Sequence, residues 1–148
     1  MTSPTVVACP SCGRRNRVPA TAAGTPRCGQ CHTALPWIAD AGDQDFTAVA
    51  EQAPLPVLVD LWAPWCGPCR MVSPALEELA RIFAGRIKLV KVDVDTAPQT
   101  AQRFDVRAVP TLLVLYHGQV VERQAGAAPA AVLGNWLEKA LSSIAARR

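Results

Sequence analysis

Residues 57–69 read Val57-Leu58-Val59-Asp60-Leu61-Trp62-Ala63-Pro64-Trp65-Cys66-Gly67-Pro68-Cys69. The first seven are apolar apart from Asp60, a pattern typical of a strand that is buried on both faces. From Cys66 to Ala84 the apolar residues recur at helical spacing, at Val72, Leu76, Leu79 and Phe83. The sequence therefore predicts a buried strand followed by a helix that begins at a Cys-x-x-Cys pair and kinks near Pro74.

Downstream, the alternation of strands and helices continues. Ile87 to Val94 is predicted to be a second buried strand. Thr96 to Phe104 is predicted to be a helix that Thr96 caps, with Pro98 tolerated in its first turn. Two further strands are joined by His117-Gly118, which suits a tight hairpin, and they span Leu112 to Tyr116 and Gln119 to Arg123.

Two more helices complete the prediction. Asp43 to Gln52 has an acidic start and a short amphipathic pattern. Pro129 opens a final helix whose apolar stripe is expected to pack on the sheet, through Leu133, Trp136, Leu137, Ala140, Leu141 and Ile144. Together these elements predict an α/β layer fold that ends in an antiparallel hairpin.

Composition and charge exclude several classes of protein. The chain has 148 residues, of which 50% are hydrophobic and 18% charged, so it suits one soluble domain with a small appendage. Its apolar runs fall far short of the about 20 residues that span a bilayer. The N-terminus has no basic segment followed by an apolar run, so we expect no secretory signal and a cytoplasmic location.

The N-terminal segment carries four cysteines in two Cys-x-x-Cys pairs, Cys9/Cys12 and Cys28/Cys31, separated by 15 residues. This spacing is typical of a zinc site, in which four thiolates complete a tetrahedron. Gly13 and Gly29 suit the tight turns of the pairs, and His32 is expected to be solvated. The alternative is four thiols that are free or form redox disulfides.

We place the predicted zinc ribbon at residues 1–34 and the α/β domain at residues 35–148, with one structural Zn²⁺ in the ribbon. Residues 1–39 contain four arginines and no acid, within a chain of formal net charge +3. A zinc ion with four thiolates would carry −2 and give these arginines a counter-charge. The basic patch is small and lacks interleaved aromatic residues, so we expect no nucleic-acid partner.

The third pair, Cys66 and Cys69, is predicted to perform redox chemistry. Unpaired backbone N–H groups at a helix N-terminus stabilise a thiolate, and the thiolate is the form that attacks disulfides. Cys69, one turn further on, is expected to be the more shielded, resolving cysteine. Apolar neighbours should raise the pKa of Asp60, which would then accept the Cys69 proton. The alternative is an ordinary carboxylate at a frayed strand end, and Lys91 is either its charge neighbour or a solvated residue.

These residues resemble the thioredoxin family, and specifically its zinc-containing bacterial members, often called thioredoxin 2. The matching residues include Asp60, Trp62, Trp65-Cys66-Gly67-Pro68-Cys69, Pro74, Lys91, Val109-Pro110-Thr111, Gly118 and Gly126. The resemblance implies a thioredoxin fold, with a central mixed sheet flanked by helices, preceded by the zinc ribbon. It also implies a protein-disulfide reductase.

The resemblance further implies how this reductase would bind its partners. Pro110 resembles the family's cis-proline, which would turn the Val109 backbone toward the substrate. Trp65, Gly67 and Pro68 would complete the docking surface beside the sulfurs. Disulfide-containing proteins would be the substrates, an NADPH-dependent thioredoxin reductase would recycle the monomeric protein, and no nucleotide or flavin would be bound.

Two other interpretations remain open at this point. The fold could serve mainly as a protein-docking module or holdase in which the dithiol is incidental, although the intact Trp-Cys-Gly-Pro-Cys motif with Asp60 argues against this. Alternatively, the zinc ribbon could be a redox sensor that releases its metal on oxidation. A second metal site at Cys66 and Cys69 is disfavoured because no further His or Cys lies nearby in the sequence.

Overall fold

The computed structural model describes residues 4–146, so the outer ends of the two predicted domains, 1–3 and 147–148, lie outside the described residues. The strands are β1 Thr5–Ala8, β2 Arg15–Val18, β3 Ile38–Asp40, β4 Val57–Trp62, β5 Lys88–Asp93, β6 Thr111–Tyr116 and β7 Gln119–Ala125. The helices are α1 Gly67–Ile82, α2 Pro98–Arg103 and α3 Ala130–Ala146, and a π-helical turn spans Thr47–Glu51.

Within residues 4–146, five strands form one mixed sheet in the order β3-β5-β4-β6-β7. β3, β5 and β4 are parallel, whereas β6 and β7 run antiparallel to their neighbours. The β6–β7 hairpin turns at His117-Gly118, where φ is 50° and 81°. Such paired positive φ values match the right-handed twist of the flanking strands. The predicted α/β fold with its terminal hairpin is confirmed.

The central sheet is covered on both faces, which explains why its middle strands are continuously apolar. Successive side chains of β4 point to opposite faces. Leu58 packs toward α1 and α3 in one core, which also contains Leu112 and Leu133. Val59 and Leu61 pack in the other core, with Phe46 before the π-helical turn and Phe104 after α2. Burial of each such side chain contributes about 1.5–3 kcal/mol, so β4 is firmly fixed.

The N-terminal segment packs on the edge of this sheet. β1 and β2 form an antiparallel hairpin, and the cluster beneath it contains Cys9, Val18, Cys28, Leu35 and Trp37. The Trp37 indole donates to the Pro19 carbonyl at 2.9 Å. The Lys88 ammonium lies 4.2 Å from the Trp37 ring centroid and donates to the carbonyls of Ala20 and Val49. Burial lowers the pKa of Lys88 to about 8.

Several predicted details differ in the structure. The predicted helix over 43–52 is shorter in the structure, where only the π-helical turn Thr47–Glu51 forms. Strand β3 is absent from the prediction because its three residues are too few to show an alternating apolar pattern. Thr96 does not cap α2, whose preceding residue is Ala97. Instead, the Asp43 carboxylate accepts from the backbone N–H groups of Gln99 and Thr100, at 3.1 and 2.7 Å. A distant acid therefore replaces the expected local cap.

The lengths of the predicted helices and strands are otherwise close to those observed. Pro74 lies inside α1, and the kink expected there stays a prediction. On α3, the residues of the expected stripe are buried or half-buried against the sheet and α1. Among the described residues, no helix combines the length and apolar character that crossing a membrane requires.

Candidate active site and metal centre

The cysteines Cys66 and Cys69 lie at the junction of β4 and α1 and form a disulfide with a Cα–Cα distance of 5.3 Å. Cys66 is the residue before the helix, with extended backbone, and its sulfur accepts from the backbone N–H of Cys69 at 3.1 Å. The same N–H donor is positioned to stabilise negative charge on Cys66. Both cysteines are 3% exposed, so the expectation that Cys69 is the more shielded is wrong for this disulfide form.

A loop before β6 brings Val109 and Pro110 against the disulfide. The Cys66 sulfur lies 3.6 Å from the Val109 carbonyl oxygen, and the Val109-Pro110 peptide bond is cis. Pro110 is buried and Val109 half-buried, whereas Gly67 and Pro68, which lie between the two cysteines in the first turn of α1, are exposed. Four of the five residues predicted to form the substrate side, Gly67, Pro68, Val109 and Pro110, therefore lie next to the dithiol in the chain or in space.

Trp65 forms an exposed wall of this region, with 67% of its surface accessible. Its indole N–H donates to the Asp95 carboxylate at 3.1 Å, which fixes the ring beside a cleft of about 480 Å³. Val94, Val106 and Val109 also line the cleft. Trp62, by contrast, is half-buried and packs against the cluster formed by Ala63, Cys66 and Cys69.

Asp60 lies beneath the dithiol on β4 and is 1% exposed. Burial raises the pKa of Asp60 from 3.8 to about 6, against the opposing attraction of the Lys91 ammonium. Asp60 and Lys91 lie opposite each other on adjacent strands, so the predicted charge neighbour is confirmed. Within residues 4–146, the buried Asp60 Oδ1 and Trp62 Nε1 atoms have no hydrogen-bond partner.

A cavity of about 100 Å³ joins Asp60 to Cys69, with Trp62, Arg70, Ser73 and Lys91 in its wall. It is large enough for a water molecule, and its mostly apolar wall includes four polar or charged side chains, those of Asp60, Arg70, Ser73 and Lys91, that could hydrogen-bond to one. The arrangement provides a short polar route between a carboxyl of raised pKa and the second cysteine.

The four N-terminal cysteines converge on one point. Their sulfur atoms all lie within 4.8 Å of one another, and the Cys9–Cys31 and Cys12–Cys28 sulfurs are 3.5 Å apart. A tetrahedral zinc site with Zn–S bonds of about 2.3 Å has sulfurs about 3.8 Å apart. The donor set and its spacing therefore fit zinc.

Each Cys-x-x-Cys pair adopts the same backbone turn. The N–H of Gly13 donates to the Cys9 carbonyl and that of His32 to the Cys28 carbonyl, at 2.9 and 3.0 Å. Gly13 has φ 80° and His32 has φ 64°. The residue with positive φ in the second turn is thus His32, so the role expected for Gly29 is wrong. The His32 side chain is exposed, as expected.

The surroundings of Cys28 and Cys12 shift the pKa values of these two thiols in opposite directions. Backbone N–H groups of Cys31 and Gln30, together with the Asn16 amide, lower the pKa of Cys28 to about 6. At Cys12, the Arg14 backbone favours the thiolate, but burial and the neighbouring thiols outweigh it and raise the pKa to about 11. The turn around Cys28 is therefore prepared to present a thiolate ligand.

The family model of thioredoxin matches residues 37–139 of this chain. The chain belongs to the thioredoxin family. A thioredoxin of Haemophilus influenzae is 48% identical over 97 residues, which cover 66% of this chain and 91% of that relative. Thioredoxin 1 of Nostoc sp. is 46% identical over 103 residues, covering 70% of this chain and 96% of the relative.

A third relative extends the thioredoxin similarity into the N-terminal segment. Thioredoxin C-3 of Corynebacterium nephridii is 37% identical over 144 residues, which cover 92% of this chain and 95% of that relative. Family membership together with the bonded Cys66–Cys69 pair identifies a thiol–disulfide oxidoreductase, specifically a protein-disulfide reductase.

Two residues at the thioredoxin site were not singled out from the sequence. Asp95 follows β5 just as Trp65 follows β4, and the carboxyl ends of these parallel strands meet at one edge of the sheet. That topology was the signal that could have identified Asp95. Ser73, which contacts Lys91, gave no comparable signal, because a serine within an amphipathic helix ordinarily faces solvent.

Proposed function

We propose that this thioredoxin reduces disulfides in other proteins through Cys66 and Cys69. The Cys66 thiolate attacks one sulfur of the substrate disulfide, and the other substrate sulfur leaves as a thiolate. Cys69 then attacks Cys66 of the mixed disulfide and releases the second substrate thiolate. The protein dithiol supplies both electrons and ends as the Cys66–Cys69 disulfide. The observation that carries this proposal is the Cys69 N–H that donates to the Cys66 sulfur.

In this mechanism Asp60 is the base that accepts the proton of Cys69. With a pKa raised to about 6, the carboxyl is mostly ionised at neutral pH but still holds a proton readily. The cavity that both residues line supports transfer through one water molecule. Cys69 thus becomes a thiolate at the moment when it must attack.

Substrates are proposed to dock as extended polypeptide across Val109 and Pro110. The backbone groups of Val109 would pair with the incoming strand, while Trp65 supplies an apolar platform and Gly67 and Pro68 leave the approach to Cys66 open. We further propose that thioredoxin reductase re-reduces the Cys66–Cys69 disulfide, and that the protein works as a monomer in the cytoplasm. No bound nucleotide or flavin is needed, because electrons arrive through thiol exchange.

The four N-terminal cysteines are proposed to bind one structural Zn²⁺. When bound, zinc would supply folding free energy to a segment with few large apolar side chains, and four thiolates would leave no open coordination position. We place this zinc ribbon at residues 1–34 and the thioredoxin domain at 35–148. Crowding of Cys9, Cys12, Cys28 and Cys31 supports the assignment.

The proposal is tested with an NADPH-coupled assay that contains thioredoxin reductase and insulin. The native chain should turn over, Cys66→Ser should be inactive, and Cys69→Ser should accumulate a mixed disulfide with insulin. Arg81→Ser, which alters a half-exposed side chain near the end of α1 away from the dithiol, should retain native turnover. Full turnover by Cys66→Ser would overturn the proposed reaction.

Metal content is measured separately, by mass spectrometry of the purified protein under native conditions. One zinc per native chain is expected, with loss of that zinc in Cys9→Ser. A native chain that binds no zinc after reduction and incubation with excess Zn²⁺ would contradict the assignment.

A further inference from the structure

One hydrogen-bonded chain leads from the Asp60 cavity to the surface of helix α1. The Lys91 ammonium, which lines the cavity with Asp60 and Ser73, donates to the Ser73 hydroxyl oxygen at 3.0 Å. The Ser73 hydroxyl in turn donates to Glu77 Oε2 at 3.2 Å. Ser73, Glu77 and Lys91 are all half-buried.

The direction of these hydrogen bonds is fixed by the chemistry of the three groups. An ammonium can only donate and an ionised carboxylate can only accept, whereas a hydroxyl does both. The single Ser73 hydrogen points to Glu77, so its oxygen lone pairs face Lys91. Donation to the negative Glu77 carboxylate also makes the Ser73 oxygen more electron-rich, which strengthens the hydrogen bond that this oxygen accepts from Lys91.

We propose that Ser73 is a positioning residue for thiol–disulfide exchange, which holds the Lys91 ammonium at the wall of the Asp60 cavity. Lysine carries a strongly hydrated charge on a flexible stem of four carbons. Without an acceptor at the cavity wall, this charge moves toward bulk water and its attraction for the Asp60 carboxylate weakens. Ser73 thus sets how tightly Asp60 holds the proton received from Cys69. This inference rests on the proposed role of Asp60 as the base.

Other charged or titratable groups also lie around Asp60 and Lys91. From α1 these are Cys69, Glu77 and Arg70, whose guanidinium donates to the Pro64 carbonyl at 2.8 Å. From β3, Asp40 lies opposite Lys91 in the strand register. On β6, the residue opposite Asp60 is the apolar Leu112. Replacement of Ser73 by Ala leaves all these charges in place, so it isolates the contribution of the hydroxyl.

The test compares native protein with Ser73→Ala and Ser73→Thr, all zinc-loaded and oxidised. The midpoint of Asp60 titration is read from the carboxyl ¹³C chemical shift between pH 4 and pH 9. Because an opposite charge lowers a carboxyl pKa by about 1–3 units, partial loss of it in Ser73→Ala should raise the midpoint by about half a unit or more. Ser73→Thr, which keeps the hydroxyl, should restore the native midpoint.

Thr47→Ala is the matched control, because Thr47 donates to Glu51 at 3.0 Å in an equivalent i,i+4 pair away from the cavity. It should leave the Asp60 midpoint unchanged. The pH at which insulin reduction reaches half its maximum should move upward with the Asp60 midpoint in Ser73→Ala.

Failure of this inference is distinguishable from failure of the proposed function. A native Asp60 midpoint near 6 that is unchanged or lowered in Ser73→Ala overturns the positioning role and leaves the role of Asp60 intact. A native midpoint near 4 overturns the assignment of Asp60 as the base, and the positioning role with it.

Discussion

We expect Asp60→Asn to stabilise the oxidised protein at neutral pH while it slows disulfide reduction. The substitution keeps the shape of the side chain but removes the ionisable group. Burial opposes the charged form of Asp60, so the native fold carries an energetic cost at neutral pH that the variant lacks. The catalytic benefit of a carboxyl under the dithiol is therefore obtained at the expense of stability.

The size of this energetic cost follows from the difference between the pKa of Asp60 in the unfolded chain and its pKa in the folded protein. The Asp60 carboxyl has a pKa of 3.8 when solvated and about 6 in the fold, and each unit corresponds to about 1.4 kcal/mol, so the maximum is about 3 kcal/mol. The folded form binds its proton more tightly than the unfolded chain does. The contribution of Asp60 protonation to the free energy of unfolding is therefore complete below pH 3.8. It falls as the pH rises from 3.8 to about 6 and changes no further above that pH.

Urea unfolding of the oxidised, zinc-loaded protein at pH 5 and pH 7 provides the assay. From the same two pKa values, the gain from Asp60→Asn should be about 1.5 kcal/mol at pH 5 and about 3 kcal/mol at pH 7. Protonation of the zinc ligands affects native and variant chains alike and cancels in the difference. Asp105→Asn is the control, because the Asp105 side chain is 73% exposed and its replacement should give no such pH-dependent gain. Equal gains from Asp60→Asn at both pH values would refute the reasoning.

Three other substitutions test packing away from the dithiol. Trp37→Phe removes the N–H that bonds Pro19 and should lower the free energy of unfolding by about 1–3 kcal/mol, measured with urea. Gly134→Ala should raise the unfolding free energy by about 0.5–1 kcal/mol, because an added Cβ lies 3.6 Å from Leu79 in ordinary contact; a lowered melting temperature would contradict this. Asp43→Ala removes the cap of α2 and should accelerate amide hydrogen exchange in that helix, with α3 as the internal reference.

Features that depend on neighbouring residues in the sequence were predictable. The apolar run around Asp60 correctly indicated both a buried strand and a carboxyl of raised pKa. His117-Gly118 indicated the hairpin, because few residue pairs accept two positive φ values. The convergence of the four N-terminal cysteines followed from their spacing.

Features that depend on distant contacts were not predictable. The cap of α2 comes from Asp43, 57 residues before Thr100, so the local candidate Thr96 was preferred. His32 occupies a backbone conformation usually assigned to glycine, which histidine adopts more readily than most residues. Lys88 falls within the predicted strand Ile87 to Val94, but its hydrogen-bond acceptors, the carbonyls of Ala20 and Val49, lie in the N-terminal segment and the π-helical turn.

Leu35 and Trp37 are each 1% exposed because the N-terminal ribbon lies over them. They also stand at the start of the proposed thioredoxin domain, so a shortened chain beginning at residue 35 would present this tryptophan and leucine to water. Newly uncovered aromatic and aliphatic surface promotes self-association. A soluble minimal version of the enzyme would consequently require polar replacements at both positions, and redesign of Lys88, which would lose its acceptor at Ala20.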